Sequence, residues 1–511
     1  MRTRAWGLVA AFAVLTAGAA LLWGYQTDDT WIHLRYAKNL AERGEFAFNP
    51  GEPTYGSTAP LWIFSLVFLM KLGLAPLAAV RLLGLLSGAT LLLTADRLLA
   101  RLSLPAAWRP GLLVLVAADA WFLRWTMSGM ETPLAGALLL VLLGPAVAAG
   151  PTAWVAWGAA WGLGTLVRPE IAVLAPTALP WLLWLQRRRH PGRAAAVSLA
   201  QAAAGWLLVA GPWFAYARVA FGRLVPGTAA AKSYAPNLDP ASLASHLTRS
   251  LEQIGVVQGA LWLGLLFVAL RFAAARRRGA AGGEGPTFGP RALALAGIAL
   301  TWAAALVGGY AVKQVWTISR YLSPLHAPLL LAGAALAAAM VRRMPAHADA
   351  ARRVLTATAA LALLANGALL AVKVRPYATT FTRGIEECFT ATGLWLRDNT
   401  PPDAVVAALD IGAVGYASER RVMDLAGLVS PEVRSLGRDM GFEAMVASGR
   451  WLELEVPDYL FDRTLGPPRW AGRTIEGVDF ELLSTCGIAS VGLGEAEPWT
   501  YALYRLVERG D

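Results

Sequence analysis

Two adjacent aspartates, Asp28 and Asp29, open the stretch TDDTWIHLRYAKN at 27–39, directly after the first long apolar run of the chain. Two close carboxylates can divide the labour of group transfer. One accepts a proton from an incoming hydroxyl while the other orients that group or steadies developing positive charge. Either can also hold a divalent cation. The residue types leave these roles open, so the metal is unknown and no cofactor is fixed. A structural use is available as well, because Asp at a helix start caps backbone N–H groups and favours the helix dipole. One cap needs one carboxylate, and the second is left to be explained.

Helical spacing from Thr27 to about Glu42 puts Asp28, Ile32, Arg35 and Asn39 on one stripe and Asp29, His33 and Tyr36 on the next. Trp31, Leu34 and Lys38 fall on a third. Further acids stand where apolar runs end. Glu131, in SGMET at 128–132, lies at such a boundary, where a semi-buried carboxylate needs a partner or a task. Glu170, in VRPE at 167–170, is expected to pair locally with Arg168 and to cap the helix that follows. Arg35, Arg168, Arg218, Arg223, Lys232, Lys313 and Arg320 are the cations of the same set. A lipid phosphate is their obvious anionic partner, with Lys232 and Arg320 the favoured contacts. Five histidines without paired spacing argue against a zinc centre. No Ser or Cys nucleophile motif occurs.

The elements that must hold these groups are membrane helices. The chain is 56% hydrophobic and only 15% charged over 511 residues, and its mean hydropathy is +0.48. Apolar runs long enough to cross roughly 30 Å of hydrocarbon recur from Ala5 onward. The net charge of +11 is scattered through short loops and so does not form a nucleic-acid surface. Those loops hold Arg4, Arg97, Arg101, Arg109, the run RRRHPGR from Arg187, Arg291, Arg342 and Arg343, and such loops mark the cytoplasmic face.

On that rule spans fall near 5–24, 76–100, 110–126, 132–149, 151–168, 170–186, 194–214, 253–273, 292–311, 320–341 and 353–373, about eleven in all. The first run reads as a span in preference to a cleaved signal peptide. The segment LWIFSLVFLMKLGL from Leu61 is short and flanked by Pro60 and Pro76. It reads as a re-entrant or in-plane helix within a first external loop, 25–75. An odd span count puts the acidic motifs and the C-terminus outside. Residues 1–374 then form a transmembrane domain, and 375–511 an external α/β domain in which DIGAVGY is a tight strand-to-helix turn. Cys388 and Cys486 are either separate core residues or, if the tail is external, a disulfide.

The run DDTWIHLRYAKNLAERGEFAFNPGEPTYGSTAPLW resembles the first external loop of the GT-C superfamily of membrane glycosyltransferases. It is most similar to the bacterial branch containing the terminal mycobacterial arabinofuranosyltransferase, although the turn Tyr55-Gly56-Ser57-Thr58 departs from the usual order. SGMET, VRPE, RYLSPL and ALDIGAVGYASERRVMDLAGLVSPEV look like the same branch. The resemblance implies a GT-C-like catalytic domain in the bacterial cytoplasmic membrane. It would take a sugar from a polyprenyl monophosphate carrier and pass it to a glycan, lipid or protein acceptor outside. Asp28 or Asp29 would be the principal catalytic carboxylate and Glu131 a second acid. Arg35, Lys232 and Arg320 would meet the donor phosphate, and Tyr36, Asn39, Arg168 and Tyr321 the substrates. Arabinofuranose is the sugar of the nearest members, and the external tail would carry a Cys388–Cys486 bridge. A transporter or flippase of lipid-linked sugars is the competing reading. Such proteins place ionisable groups near the midplane and often carry inverted repeats, whereas here the acids gather at span ends.

Overall fold

The computed structural model describes residues 2–227, 236–277, 288–436, 440–493 and 497–509. Helix α1 (Arg2–Leu21) is followed by two short helices, α2 (Asp28–Arg43) and α3 (Pro60–Lys71). Then come α4 (Pro76–Arg101), α5 (Trp108–Ala117), α6 (Ala120–Met127), α7 (Thr132–Val147), α8 (Trp154–Val167) and α9 (Glu170–Arg189). They continue as α10 (Ala195–Phe221), α11 (Pro240–Arg277), α12 (Pro290–Val312), the single turn α13 (Ser319–Leu322) and α14 (His326–Arg342). Among the described residues, seven helices are long and apolar enough to cross a membrane. The protein is a polytopic α-helical membrane protein with a sheet-containing C-terminal region. The α3 helix has 12 residues. At about 1.5 Å per residue it reaches roughly 18 Å, well short of a span.

The segment expected as one span at 110–126 is broken. The Asp119 side chain accepts the N–H groups of Trp121 and Phe122, each at 3.0 Å, and so starts α6 afresh after α5. Its other oxygen lies 2.8 Å from His326 Nδ1 on α14. Elsewhere the bundle closes through small residues, as apolar surroundings favour. A Cβ on Gly158 of α8 would lie 1.9 Å from the Ala202 carbonyl oxygen of α10, and one on Gly205 would lie 2.1 Å from that of Val155. These two backbones touch.

From Pro345 to Asn399 the chain is one helical run of 55 residues. It comprises α15 (Ala348–Leu369), α16 (Arg375–Gly384) and α17 (Ala391–Asn399), joined by π turns at Leu370–Val374 and Ile385–Thr390. Residue 374 therefore lies inside continuous helix. Beyond it stand β1 (Val405–Ala408), α18 (Gly412–Ser418), β2 (Arg421–Asp424), α19 (Pro431–Leu436) and α20 (Phe442–Ser448). The last strands are β3 (Tyr459–Thr464), β4 (Thr474–Ile475), β5 (Val478–Ile488) and β6 (Trp499–Glu508).

The strand order is β2-β1-β3-β6-β5-β4, with β1 parallel to β2 and β3 and the other pairs antiparallel. The apolar run VVAA of β1 is buried throughout, as a central parallel strand requires. Alternation along β6 divides the two faces: Tyr501 stacks on Phe461 and meets Phe389 of the long helix, while Tyr504 joins Trp470 and Phe480. The start of DIGAVGY makes the β1-to-α18 turn, and its residues from Gly412 on are already helical.

Cys388 and Cys486 are bridged across 98 residues of chain, tying the long helix to β5. Closing a loop of that length stabilises by about 4 to 5 kcal/mol in the chain-entropy model. Replacing both cysteines by serine should therefore lower the denaturant midpoint of the C-terminal region by that order. Mass spectrometry of the unreduced protein should find neither thiol open to alkylation.

Candidate functional site

Thr27 is the N-cap of α2, with extended backbone at φ −100° and ψ 161°, and its N–H donates to Thr30 Oγ1 at 3.3 Å. Neither aspartate is spent on the cap. The Asp28 carboxylate crosses to the C-terminal region, where it accepts the Gly412 N–H at 2.9 Å and the Ala413 N–H at 2.8 Å at the start of α18. Gly412 is required there, because a Cβ would stand 2.0 Å from the Asp28 carbonyl oxygen and 2.7 Å from its carboxylate. Burial, reinforced by the charge of Asp410, pushes Asp28 up to about 7, against the pull of the two N–H groups. Asp29, one residue on, turns the other way and accepts Arg320 Nη1 at 2.6 Å.

Asp29 lines a cavity of about 380 Å³ bounded by α2, the YGST turn, the SGMET loop, the start of α9, the end of α12 and α13. Glu131, the residue before α7, receives Arg168 Nε at 2.9 Å, and both side chains are buried. Arg168 Nη1 donates to the Arg320 carbonyl at 2.9 Å, so the guanidinium ties two walls together. The expected local Glu170–Arg168 pair is not formed. Glu170 Oε1 instead accepts the Tyr310 hydroxyl at 2.7 Å, and its Oε2 has no hydrogen-bond partner. Lys313 reaches the same cavity from the end of α12. Leu174, Leu306 and Val315 give it apolar walls.

The scaffold around these groups is backbone-specific. Thr30 Oγ1 donates to the Ser128 carbonyl at 2.6 Å and Trp62 Nε1 to the Gly129 carbonyl at 3.1 Å, which fixes the loop carrying Glu131. Arg249 Nε donates to the Thr317 carbonyl at 2.9 Å and Trp125 Nε1 to Ser319 Oγ at 3.0 Å, which fixes the turn carrying Arg320.

The structure thus brings together Asp29, Glu131, Arg168, Arg320 and Tyr321. It places four other expected residues elsewhere. Arg35 donates to the carbonyls of Phe48 at 3.0 Å, Gly415 at 2.8 Å and Arg420 at 3.2 Å, so its donors face backbone in place of phosphate. Asn39 donates to the carbonyls of Ala47 and Phe48 at 2.9 and 2.8 Å. Tyr36 supports the cavity from behind: its hydroxyl accepts the Gly56 N–H at 3.1 Å and holds the YGST turn. Asp28 serves the clasp already described. Lys232 lies outside the described residues. Tyr310 and the open oxygen of Glu170 escaped sequence reading. Tyr310 sits one helical turn before Lys313, and that spacing was the available signal. Among the described residues no group of three or more His, Cys, Asp or Glu side chains is gathered to hold a metal ion.

Residues 377–504 match a family model described only as a domain of unknown function, DUF8728. No curated protein sequence matches the chain. Among solved structures it is similar to ArnT from Cupriavidus metallidurans bound to undecaprenyl phosphate. The TM-score is 0.53 at 13% identity, over 98% of each chain. The apo state of that protein gives 0.54 at 13% identity, over 96% of this chain and 97% of the other. The arabinofuranosyltransferase AftD from Mycobacteria matches at 0.53 and 17% identity, over 99% of this chain and 40% of that one. The fold is that of the GT-C membrane glycosyltransferases.

A carboxyl group raised by burial stabilises the fold most when protonated, and that contribution is lost as pH rises from about 4 through 7. Asp28 contributes this slope at the clasp, in addition to Asp424 and Asp462, which burial pushes up to about 6. Thermal melts of the C-terminal region should fall over that window, and Asp28→Asn should flatten the fall. Breaking the Glu131–Arg168 pair is a separate effect. Glu131→Gln leaves a buried guanidinium uncompensated and should destabilise the protein by about 3 to 5 kcal/mol in denaturant titration.

Proposed function

We propose that this chain, carrying the GT-C fold, is a glycosyltransferase that moves a sugar from a polyprenyl monophosphate carrier to an acceptor hydroxyl. It works at the outer face of a bacterial cytoplasmic membrane. The observation that carries this reading is the convergence of Asp29, Glu131 and Glu170 with Arg168, Lys313 and Arg320 on one apolar-walled cavity. Nucleotide sugars are not expected outside the cytoplasm, so an external transferase needs a lipid-borne donor. Cations beside carboxylates at the ends of spans suit a membrane-anchored phosphate.

Arg320 and Lys313 receive the donor phosphate. Arg320 Nε has no hydrogen-bond partner, and the Lys313 ammonium lines the cavity with no side-chain hydrogen bond or ion pair among the described residues. Phosphate arriving at Arg320 competes with Asp29 for the guanidinium and restores basicity to that carboxylate. The acceptor oxygen then attacks the anomeric carbon as its proton passes to Asp29. The bond from that carbon to the phosphate oxygen breaks, and the electron pair leaves on the phosphate, held by the two cations. Arg168 and Glu131, already paired, keep the site in shape. Asp28 acts as a positioning residue through α18. Residues 1–374 are the catalytic membrane domain, and 375–511 form an external domain that shapes acceptor access. Arabinofuranose is the sugar we favour, on the likeness to the mycobacterial arabinofuranosyltransferase.

Purified protein in lipid nanodiscs should convert a polyprenyl-phosphoryl sugar and a glycan acceptor into extended glycan and free polyprenyl phosphate. Asp29→Asn should reduce turnover by about 10²- to 10⁴-fold at a temperature where its melting curve shows the variant folded. Movement of intact lipid-linked sugar across the bilayer without bond exchange would identify a flippase instead.

A further inference from the structure

A second polar cavity, of about 300 Å³, lies at the other end of the bundle. Helix α9 begins at the acidic cavity with Glu170 and ends at this one with Arg189, whereas α12 runs in reverse from Pro290 to Val312, with Lys313 next to it at the acidic cavity. At about 1.5 Å per residue, the 20 residues of α9 separate the two cavities by roughly 30 Å, one hydrocarbon thickness. We propose that this cavity binds a phosphate-bearing anion, of the kind carried by an anionic membrane lipid headgroup.

Five arginines from four helices converge on it: Arg101 of α4, Arg188 and Arg189 of α9, Arg291 of α12 and Arg342 of α14. No carboxylate lines it among the described residues. Arg189 and Arg291 stand close enough to repel each other, and an anion between them removes that repulsion. Arg189 Nη1 is bonded to the Ala148 carbonyl at 2.8 Å, but its Nη2 is buried and has no partner. The guanidinium groups of Arg101 and Arg291 form no hydrogen bond or ion pair among the described residues.

An independent feature points to the same ligand. The N-terminus of α12, a 23-residue helix, opens on the cavity through Gly289, Pro290, Arg291 and Ala292 and carries no side-chain cap. Its free N–H groups and dipole favour a phosphate oxygen there. Apolar side chains of Leu104, Leu185 and Ala335 line the same space, which suits an acyl chain below a headgroup. A general excess of basic residues at one membrane face would need neither the convergence of four helices on one cavity nor the uncapped helix.

Native mass spectrometry of the detergent-purified protein tests this with three probes: phosphatidylglycerol, phosphatidylcholine and inorganic phosphate. The double variant Arg101→Gln, Arg291→Gln is compared with Arg352→Gln, Arg353→Gln, which removes the same charge at the adjacent start of α15. The parent and the α15 variant should retain phosphatidylglycerol over phosphatidylcholine. The cavity variant should lose roughly tenfold or more of that preference while melting like the parent. Displacement of phosphatidylglycerol by inorganic phosphate at comparable concentration would make a soluble anion the ligand, and resistance to it a lipid. Equal loss in both variants, or no preference in the parent, overturns the proposal.

Discussion

Two backbone N–H groups decide what the acidic pair can do. Gly412 and Ala413 hold the Asp28 carboxylate against the start of α18, and this orients α2 so that Asp29 faces the cavity. Further along the same helix, Arg35 grips the Gly415 and Arg420 carbonyls, while Lys38 pairs with Glu419. Trp31 packs on Tyr416, with ring centroids 5.0 Å apart. One face of α2 is therefore given over to the C-terminal region and the neighbouring stripe to the site. The clasp also explains why a sheet region sits on a membrane bundle, for it holds one wall of the cavity in register.

Charges taken out of water at a bundle end are costly unless each meets an opposite charge or a hydrogen-bond partner. The site meets this condition unevenly. Arg168 donates both to Glu131 and to the Arg320 carbonyl, and this pair thus defines shape. Asp29 meets Arg320 at 2.6 Å with its side chain 38% exposed, and Glu170 keeps an open oxygen. The groups with spare capacity are those able to exchange partners when a substrate arrives. A wholly satisfied network would be rigid and inert, and a wholly open one would not stay buried.

The two ends of α9 and α12 carry opposite kinds of chemistry. At one end acids and cations share a cavity, and at the other arginines crowd around an uncapped helix start. Helices of this length fix that spacing without further adjustment, because their rise per residue is constant. The bundle then has a polar boundary at each end, with glycine contacts such as Gly158 and Gly205 closing the apolar layer between them.

Apolar run length and arginine placement were enough to establish a polytopic membrane protein, because hydrocarbon thickness and backbone hydrogen bonding leave few alternatives to helices. Motif spacing likewise marked the acidic helix, SGMET, VRPE and the turn before Arg320 as one set, whereas for Cys388 and Cys486 the sequence left both a bridge and two separate core residues open, and the structure forms the bridge. The break at Asp119 was less legible, since a side-chain cap inside an apolar run leaves the composition unchanged. Only the tertiary structure separated Asp28 from Asp29, moved Arg35, Tyr36 and Asn39 out of the cavity, and paired Arg168 with Glu131 in place of Glu170. Helical spacing says which side chains share a stripe, but partners 8 to 385 positions away in the chain, all off the helix itself, decide what that stripe meets. Those meetings depend on long-range packing, which local sequence does not encode.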